Sequence, residues 1–235
     1  MPSAISVSTV KQAFGEAGVV PDVTTSFSPV ALLDVAYTSA NSPIYVNPGG
    51  NLTTPQTENI PSFWLTYNNA SLVNETFVLA MVDPDAPTPQ NKSLAQIRHL
   101  ILGDLHLEGS ASSGTALLVN STPALSDYIS PGPPNGSDPH RYTLLLYVQP
   151  SGFQQIAPTL VNASTPITSF NLTSFVEVVG LGTPIAGTFF FEGPFNGSTT
   201  SAESQKNGVM ERNIGTGLRV GVAIVIGAAL VLIML

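Results

Sequence analysis

The sequence predicts a mostly β fold made of many short strands, with one helix late in the chain. Three observations support this class. Short runs rich in Val, Leu, Ile, Phe and Tyr recur along the chain, clusters of Pro, Gly, Asn and Asp separate them, and 20 Pro and 20 Gly supply the turns. This pattern favours a sandwich or a mixed antiparallel sheet.

The N-terminal segment precedes the strands and has helical character. Ser8–Ala17 follows the pattern of a short helix that begins at a Ser or Thr cap and ends at Gly18. The sequence therefore predicts an N-terminal helical segment at 1–22, ahead of a β domain at 23–196.

Six runs are predicted strands because they are short and rich in β-branched, aromatic and Leu residues: Leu32–Thr38, Ser62–Tyr67, Phe77–Val82, Ile97–Gly103, Tyr142–Gln149 and Thr188–Glu192. Two longer loops are predicted between them, at Thr53–Pro61 and Gly109–Pro123. The late helix is predicted at Leu172–Val179, with Asn171 as its N-cap and Gly180 or Gly182 at its end.

Composition limits the classes of function. The 235 residues suffice for one large domain with appendages. The absence of Cys excludes disulfides, a thiol nucleophile and a thiolate metal site. A net charge of −8 without a basic cluster argues against a nucleic-acid partner. Only 9% of residues are charged, against about 25% in ordinary soluble domains, so the surface must be made polar by other groups.

Asparagine supplies one such group. Nine of the 15 Asn stand in N-x-[ST] sequons, more than chance placement gives. Asn171 fits a helix cap, and the other eight are predicted glycosylation sites of a secretory-pathway protein: Asn51, Asn69, Asn74, Asn91, Asn120, Asn135, Asn162 and Asn196. The alternative is that Asn-x-Ser/Thr is simply favourable turn chemistry.

The C-terminus has the pattern of a glycolipid-anchor (GPI) signal. The uncharged apolar tail at 220–235 is shorter than the roughly 20 residues of a spanning helix. A polar stalk at 197–219 precedes it and contains Asn207, the predicted attachment residue. We therefore expect a cell-surface protein; a single C-terminal membrane span is the alternative. No signal-peptide pattern is visible in Met1–Val10, so a truncated or mispredicted start is expected; the alternative is that the protein never reaches the secretory lumen.

Polar side chains gather where predicted strands begin or end. Asp83 and Asp85 follow Phe77–Val82, His99 opens a second strand, and His140 opens a third. A carboxylate bonded to one imidazole nitrogen fixes the tautomer and leaves the other nitrogen for an anion. The pattern indicates a small-anion pocket. The alternative is that Asp-Pro turns merely end strands and the histidines are satisfied core residues.

Four ordered motifs carry a family resemblance over residues 28–195: Met81 to Thr88 with its Asp-Pro-Asp-Ala-Pro core, Arg98-His99, Leu125 to Tyr142 with its Gly-Pro-Pro and His-Arg-Tyr, and Phe170 to Gly187. In these motifs the chain resembles the phosphatidylethanolamine-binding protein (PEBP) family, in the form of a secreted, GPI-anchored, fungal-type member. The resemblance implies a large central antiparallel sheet packed on a smaller one, with a few peripheral helices.

The resemblance also implies a set of pocket residues. The expected ligand-binding residues are Asp83, Asp85, Pro87, His99, Pro133, His140 and Tyr142, with Arg141, Tyr128 and Gly132 in support. Two departures from the family bear on the ligand. Ile97 stands where the family often has an aromatic residue, and the family's C-terminal helix is absent or replaced by the stalk.

The sequence is compatible with three functions. The first is a non-catalytic binding or regulatory protein that holds a phosphorylated headgroup or a carboxylate, without a cofactor or metal, and inhibits a protease or kinase as members of the family do. The second is a structural surface glycoprotein with a vestigial pocket. The third is a metal-assisted phosphoester hydrolase using Asp83 or Asp85 with His99 or His140, for which no activated nucleophile is visible.

Overall fold

The computed structural model describes residues 5–39, 42–108 and 114–194. Four features predicted from the sequence lie outside these residues: Asn196, Asn207, the stalk at 197–219 and the apolar tail at 220–235.

The predicted mostly β fold is confirmed. Within the described residues the strands are β1 Leu32–Ser39, β2 Ser42–Tyr45, β3 Gly50–Leu52, β4 Ser62–Thr66, β5 Phe77–Asp83, β6 Ile97–Glu108, β7 Thr115–Asn120, β8 His140–Val148 and β9 Ala186–Glu192. They are hydrogen-bonded in the order β2-β1-β4-β7-β6-β5-β8-β9-β3. Neighbouring strands pair antiparallel except β3 and β9, which pair parallel. The family resemblance implied a large sheet packed on a smaller one. In the structure the nine strands are joined edge to edge in one sheet.

This sheet curls around a core. β1 also contacts β9 although several strands separate them in the sheet order. Leu33 of β1, Leu79 of β5 and Leu144 of β8 accordingly belong to one buried cluster, the inner core. Because successive side chains of a strand point to opposite faces, the intervening residues Val78 and Leu145 belong to a second cluster on the outer face.

Besides two short 3₁₀ helices at Thr54–Gln56 and Ala70–Asn74, four α-helices lie among the described residues: α1 Val7–Glu16, α2 Val19–Asp22, α3 Phe153–Leu160 and α4 Leu172–Val179. They cover the outer face of the sheet, since their apolar side chains share the second cluster with the central strands. In α1, Val10 and Phe14 are one helical turn apart and both buried. The two covered faces explain why every residue of β5 is buried.

The helix at Leu172–Val179 has the predicted bounds. The Asn171 Oδ1 accepts a hydrogen bond from the Ser174 backbone N–H at 2.9 Å, and Gly180 ends the helix at φ +80°. The predicted N-terminal helix is also present, one residue earlier than expected, with Ser6 as its cap.

Five of these strands and α-helices were not predicted individually from the sequence: β2, β3, β7, α2 and α3. The prediction of a loop at Gly109–Pro123 is wrong at β7, which is a strand. The burial of β7 alternates from residue to residue, as in a strand with one covered face, and the strand lies beside a Ser/Gly-rich segment. α3 was not predicted because it has eight residues and contains Pro158. Such short elements form through tertiary packing, here of Phe153 and Ala157 on the sheet.

Candidate functional site

The candidate site lies at one end of the three central strands. Because β5 runs antiparallel to both neighbours, its C-terminal end at Asp83 meets the N-terminal ends of β6 and β8. Asp83 pairs with Ile97, and Val82 pairs with Thr143. The strand ends singled out in the sequence are therefore brought together.

Asp83 and His140 form the centre of the site. The distance from His140 Nδ1 to Asp83 Oδ2 is 2.8 Å, and both side chains are almost fully buried. A carboxylate only accepts here, so Nδ1 carries the proton. The other carboxylate oxygen of Asp83 accepts the backbone N–H of Asp85 at 2.8 Å, which fixes the turn after β5.

Ser137 completes a hydrogen-bond chain through His140. Its Oγ lies 2.9 Å from His140 Nε2 and donates to the Asp138 carbonyl oxygen at 2.8 Å. A hydroxyl has one hydrogen, so while it donates to Asp138 it can only accept at His140. The sequence analysis left Nε2 free for an anion, whereas the fold places the Ser137 hydroxyl there.

His99 is placed by a β-bulge. Met81 pairs with Leu100 while Val82 pairs with Arg98, so His99 is the extra residue between them. Bulges re-aim side chains beside functional sites. The Nδ1 of His99 donates to the Ile129 carbonyl oxygen at 2.7 Å. Its Nε2 is buried and has no hydrogen-bond partner in the described chain. Burial lowers the pKa of His99, which favours the neutral imidazole.

Tyr142 joins the two histidines. Its ring stands edge-on to His99 at 5.1 Å between centroids and lies nearly parallel to His140 at 6.3 Å and to Phe190 at 5.4 Å. The Tyr142 oxygen accepts the Gly132 backbone N–H at 3.3 Å. Burial, followed by the charge of Asp83, raises the Tyr142 pKa, so the hydroxyl keeps its proton and can donate it to a ligand.

These side chains line a cavity of about 240 Å³. It is bounded by Asp83, Ala86, Pro87, Ile97, His99, Ile129, Ser130, Gly132, Pro134, His140 and Tyr142. Of the predicted ligand-binding residues, the structure thus brings together Asp83, Pro87, His99, His140 and Tyr142, with Gly132 from the supporting set. Ile97, noted as a departure from the family, forms part of the wall.

Asp85 and Arg141 do not line this cavity. The Arg141 Nε donates to Asp85 Oδ2 at 2.8 Å, its Nη2 to Asp85 Oδ1 at 2.6 Å, and its backbone N–H to Oδ2 at 2.9 Å. Burial alone would raise the Asp85 pKa, but the hydrogen bonds and charge of Arg141 lower it overall. Adjacent strand residues point to opposite faces, so the sequence itself indicates that His140 and Arg141 cannot share one pocket.

The Arg141 network instead holds the N-terminal helices. Arg141 Nη1 donates to the Ala17 carbonyl oxygen at 2.8 Å and Nη2 to Asp22 at 2.7 Å. Lys92 pairs with Asp22 at 2.8 Å and lies 3.4 Å from Asp85. Asp22 and Lys92 border a larger, more polar cavity of about 440 Å³. Both are already paired with each other, so no unpaired charge marks this second cavity as a ligand site.

Tyr128 and Pro133 also lie outside the cavity lining. Pro133 is buried, and its neighbour Pro134 takes the lining position. The Tyr128 hydroxyl donates to the Thr57 carbonyl oxygen at 2.6 Å. Burial raises the Tyr128 pKa to about 12. Its contact belongs to the core rather than to a ligand.

Three residues near the site were missed by sequence reasoning. Ser137 bonds His140, Ile129 bonds His99, and Glu192 of β9 pairs with His140 across the sheet. The Glu192 carboxylate is fully buried and accepts from the hydroxyls of Thr54 at 2.8 Å and Thr57 at 2.7 Å. Burial raises its pKa despite these hydrogen bonds. Only Ser137 had a local signal, its place three residues before His140.

No group of three or more His, Asp or Glu side chains placed to hold a metal is found among the described residues. Asp85, which the hydrolase hypothesis placed beside the histidines, is held by Arg141 instead. Within the same residues, no helix has both the length and the apolar character needed to cross a membrane.

The fold and site define a β protein with a small histidine-lined cavity at the end of its central strands. The family model described as phosphatidylethanolamine-binding protein matches residues 25–190. The chain belongs to this family, as its motifs indicated.

Relatives and solved structures agree. The chain is 34% identical over 158 residues to the carboxypeptidase Y inhibitor of Saccharomyces cerevisiae, covering 57% of this chain and 71% of that protein. It is 31% identical over 178 residues to a 26 kDa secreted antigen of Toxocara canis, covering 75% of this chain and 62% of the antigen. A crystal structure of carboxypeptidase Y inhibitor complexed with the cognate proteinase matches with a TM-score of 0.68 and 26% identity, over 82% of this chain and 98% of the inhibitor.

Proposed function

We propose that this chain is a non-catalytic binding protein whose cavity holds one small phosphorylated or carboxylated anion. The observation that carries this proposal is the His99 Nε2 atom, buried at a cavity-lining residue without a partner in the described chain. Buried polar atoms are rarely left unpaired, because each costs about 1–3 kcal/mol. A ligand that accepts from Nε2 removes this cost once the imidazole takes up a proton.

The remaining groups fit the same ligand. The Tyr142 hydroxyl retains its proton and supplies a second donor, since its oxygen already accepts from Gly132. The buried Asp83–His140 hydrogen bond holds this wall of the cavity in place. Two donors and small apolar walls suit the headgroup of a phosphatidylethanolamine-like lipid or a carboxylate.

Calorimetric titration with phosphorylethanolamine and with acetate tests this proposal. We expect saturable binding, and a loss of about tenfold or more in affinity in His99→Ala, because His99 Nε2 supplies one of the two proposed hydrogen bonds and hydrogen bonds to charged groups contribute about 1.5–3 kcal/mol. His106→Ala is the matched control, since this third histidine is exposed on β6 and does not line the cavity. Equal affinity in both variants would show that His99 does not bind the anion, and no binding by the unsubstituted protein would mean that the cavity serves only as scaffold.

Protease inhibition is a second proposed activity, favoured by the similarity to a carboxypeptidase Y inhibitor and to the structure of such an inhibitor with its proteinase. Titrating carboxypeptidase Y with the purified chain, at a fixed peptide substrate concentration, tests it. We expect peptidase activity to fall with added chain. Unchanged activity at a large excess would reject this target, and a kinase assay then tests the other inhibitory activity of the family.

We further propose that the protein enters the secretory pathway and is held at the cell surface by a glycolipid anchor at Asn207. The sequons and the tail at 220–235 support this, and one relative is a secreted antigen. Release from intact cells by a phosphatidylinositol-specific phospholipase is the expected result. Retention after that treatment would favour the single membrane span.

A further inference from the structure

One predicted glycosylation sequon, Asn135-Gly136-Ser137, lies in the loop that forms a wall of the candidate cavity. Gly132 and Pro134 of this loop line the cavity. Ser137, the hydroxyl residue of the sequon, is the residue that bonds His140 Nε2 at 2.9 Å. Asn135 itself is exposed. The acceptor asparagine is therefore next to a wall residue and two residues from a contact of the site histidine.

The turn geometry presents Asn135 at the tip of this loop. The Ser137 backbone N–H donates to the Pro134 carbonyl oxygen at 3.1 Å, which closes a four-residue turn around Asn135 and Gly136. Gly136 takes a φ of +84°, as the third position of a type II turn requires. The turn is thus explained by glycine and does not need the Asn135 side chain.

Turn chemistry does explain several other sequons. The Oδ1 atoms of Asn69, Asn91 and Asn162 accept backbone N–H groups two residues ahead, and the Nδ2 of Asn120 donates to the Thr122 carbonyl oxygen. The Asn135 side chain makes no hydrogen bond to any residue of the described chain. Its amide nitrogen is free to carry a sugar, and no local structural role accounts for this asparagine.

The loop is also hydrogen-bonded to the segment that follows Pro87, another residue of the cavity lining. Gln90 Nε2 donates to Asp138 Oδ2 at 2.6 Å, which joins the segment after Pro87 to the Asn135 loop. The next residue, Asn91, is exposed and begins another sequon. Asn91 and Asn135 thus lie on two loops that are joined by a hydrogen bond and that each contribute a residue to the cavity lining.

We propose that Asn135 carries an N-linked glycan at the mouth of the cavity, and that this glycan admits a free small anion while keeping a membrane surface away. The inference rests on the proposed anion pocket and narrows its ligand class to soluble anions. A glycan is bulky and hydrated, so it blocks approach of a flat bilayer, whereas a free headgroup of a few atoms enters beside it.

The test uses the full chain expressed in a glycosylating eukaryotic host, with Asn135 occupancy read by mass spectrometry of the peptide. Free phosphorylethanolamine and vesicles of phosphatidylethanolamine in phosphatidylcholine are the two probes. Asn135→Gln removes the sugar and keeps the Ser137 hydroxyl. Asn74→Gln is the matched control, because Asn74 is an exposed sequon just before the opposite end of β5.

We expect Asn135 to carry a glycan in the unsubstituted chain. Free phosphorylethanolamine should bind the unsubstituted chain, Asn135→Gln and Asn74→Gln with equal affinity. Vesicles should bind only Asn135→Gln. An Asn135 without a glycan overturns the inference. So does equal behaviour towards vesicles, whether the unsubstituted chain, Asn135→Gln and Asn74→Gln all bind them or none does. Failure of free phosphorylethanolamine to bind any form instead rejects the anion pocket, and the occupancy measurement keeps that result separate from a missing glycan.

Discussion

Asp83 and His140 are joined by a buried hydrogen bond of 2.8 Å that connects the end of β5 to the start of β8. Two residues further along the chain, Asp85 binds Arg141, the next residue of β8. One acidic turn therefore holds two adjacent residues that point to opposite faces. The first pair builds the cavity, and the second attaches the N-terminal helices to the outer face.

Removing the Asp83 carboxylate should lower the free energy of unfolding by much more than the loss of so small a group would by itself. Asp83→Ala leaves His140 buried without its acceptor, and removing one partner of a buried pair costs about 3–5 kcal/mol. We expect the double variant Asp83→Ala/His140→Ala to lose less stability than the sum of the single variants. Urea unfolding of the four proteins gives the coupling free energy; additive losses would show that the two side chains do not stabilise each other.

Arg141 and Lys92 should differ sharply in their effect on stability. Arg141 is buried and makes several hydrogen bonds to Asp85, so Arg141→Met should cost about 3–5 kcal/mol. The Lys92 side chain is 40% exposed, and Lys92→Met should cost less than about 1 kcal/mol. Limited proteolysis should also cut the 17–22 segment faster in Arg141→Met. Equal losses in the two variants would contradict this account of the network.

Stability should fall on the acid side because of His99. Burial lowers the pKa of His99 below the ordinary 6.5, so the folded protein keeps it neutral where the unfolded chain already binds a proton. Its contribution is complete above pH 6.5 and is lost as the pH falls below that value. His99→Asn retains a donor towards Ile129 and does not titrate. Thermal unfolding in anion-free buffer should therefore show a shallower acid loss in this variant than in His106→Asn.

Glu192 should have the opposite effect to His99 and make the protein less stable as the pH rises. Burial raises its pKa above the ordinary 4.5, so the folded protein holds the acid protonated where the unfolded chain has released the proton. This contribution is complete below pH 4.5 and is lost as the pH rises through the raised value. Glu192→Gln should raise the thermal midpoint at pH 7.5 relative to its effect at pH 4. A larger gain at pH 4 than at pH 7.5 would reverse the assignment.

Local patterns predicted much of the fold, and long-range geometry explains what they missed. The run Phe77–Val82 and the cap at Asn171 carry their structure in a few neighbouring residues, and both elements appear where expected. β7 depends on pairing with β4 and β6, which no short window of sequence contains.

The candidate site likewise combines features that local sequence patterns predicted with features that long-range geometry determines. The positions of Asp83, His99 and His140 at the ends of predicted strands indicated that they would meet, because antiparallel pairing places the end of one strand beside the start of its neighbour. The bulge that aims His99, the partner that holds Asp85 and the hydroxyl that occupies His140 Nε2 are set by register and loop closure. Alternation along β8 was the available signal that Arg141 faces away from the cavity.

The imidazole resonances of the three histidines test the central claim most directly. Long-range ¹H–¹⁵N spectra, assigned by the single substitutions at His99, His140 and His106, would be followed as acetate is added at pH 6. We predict saturable shifts of His99 and His140 at one common midpoint, with His99 moving towards the protonated form and His106 unchanged. Shifts confined to His106, or none at His99 and His140, would contradict an anion site at the end of the central strands.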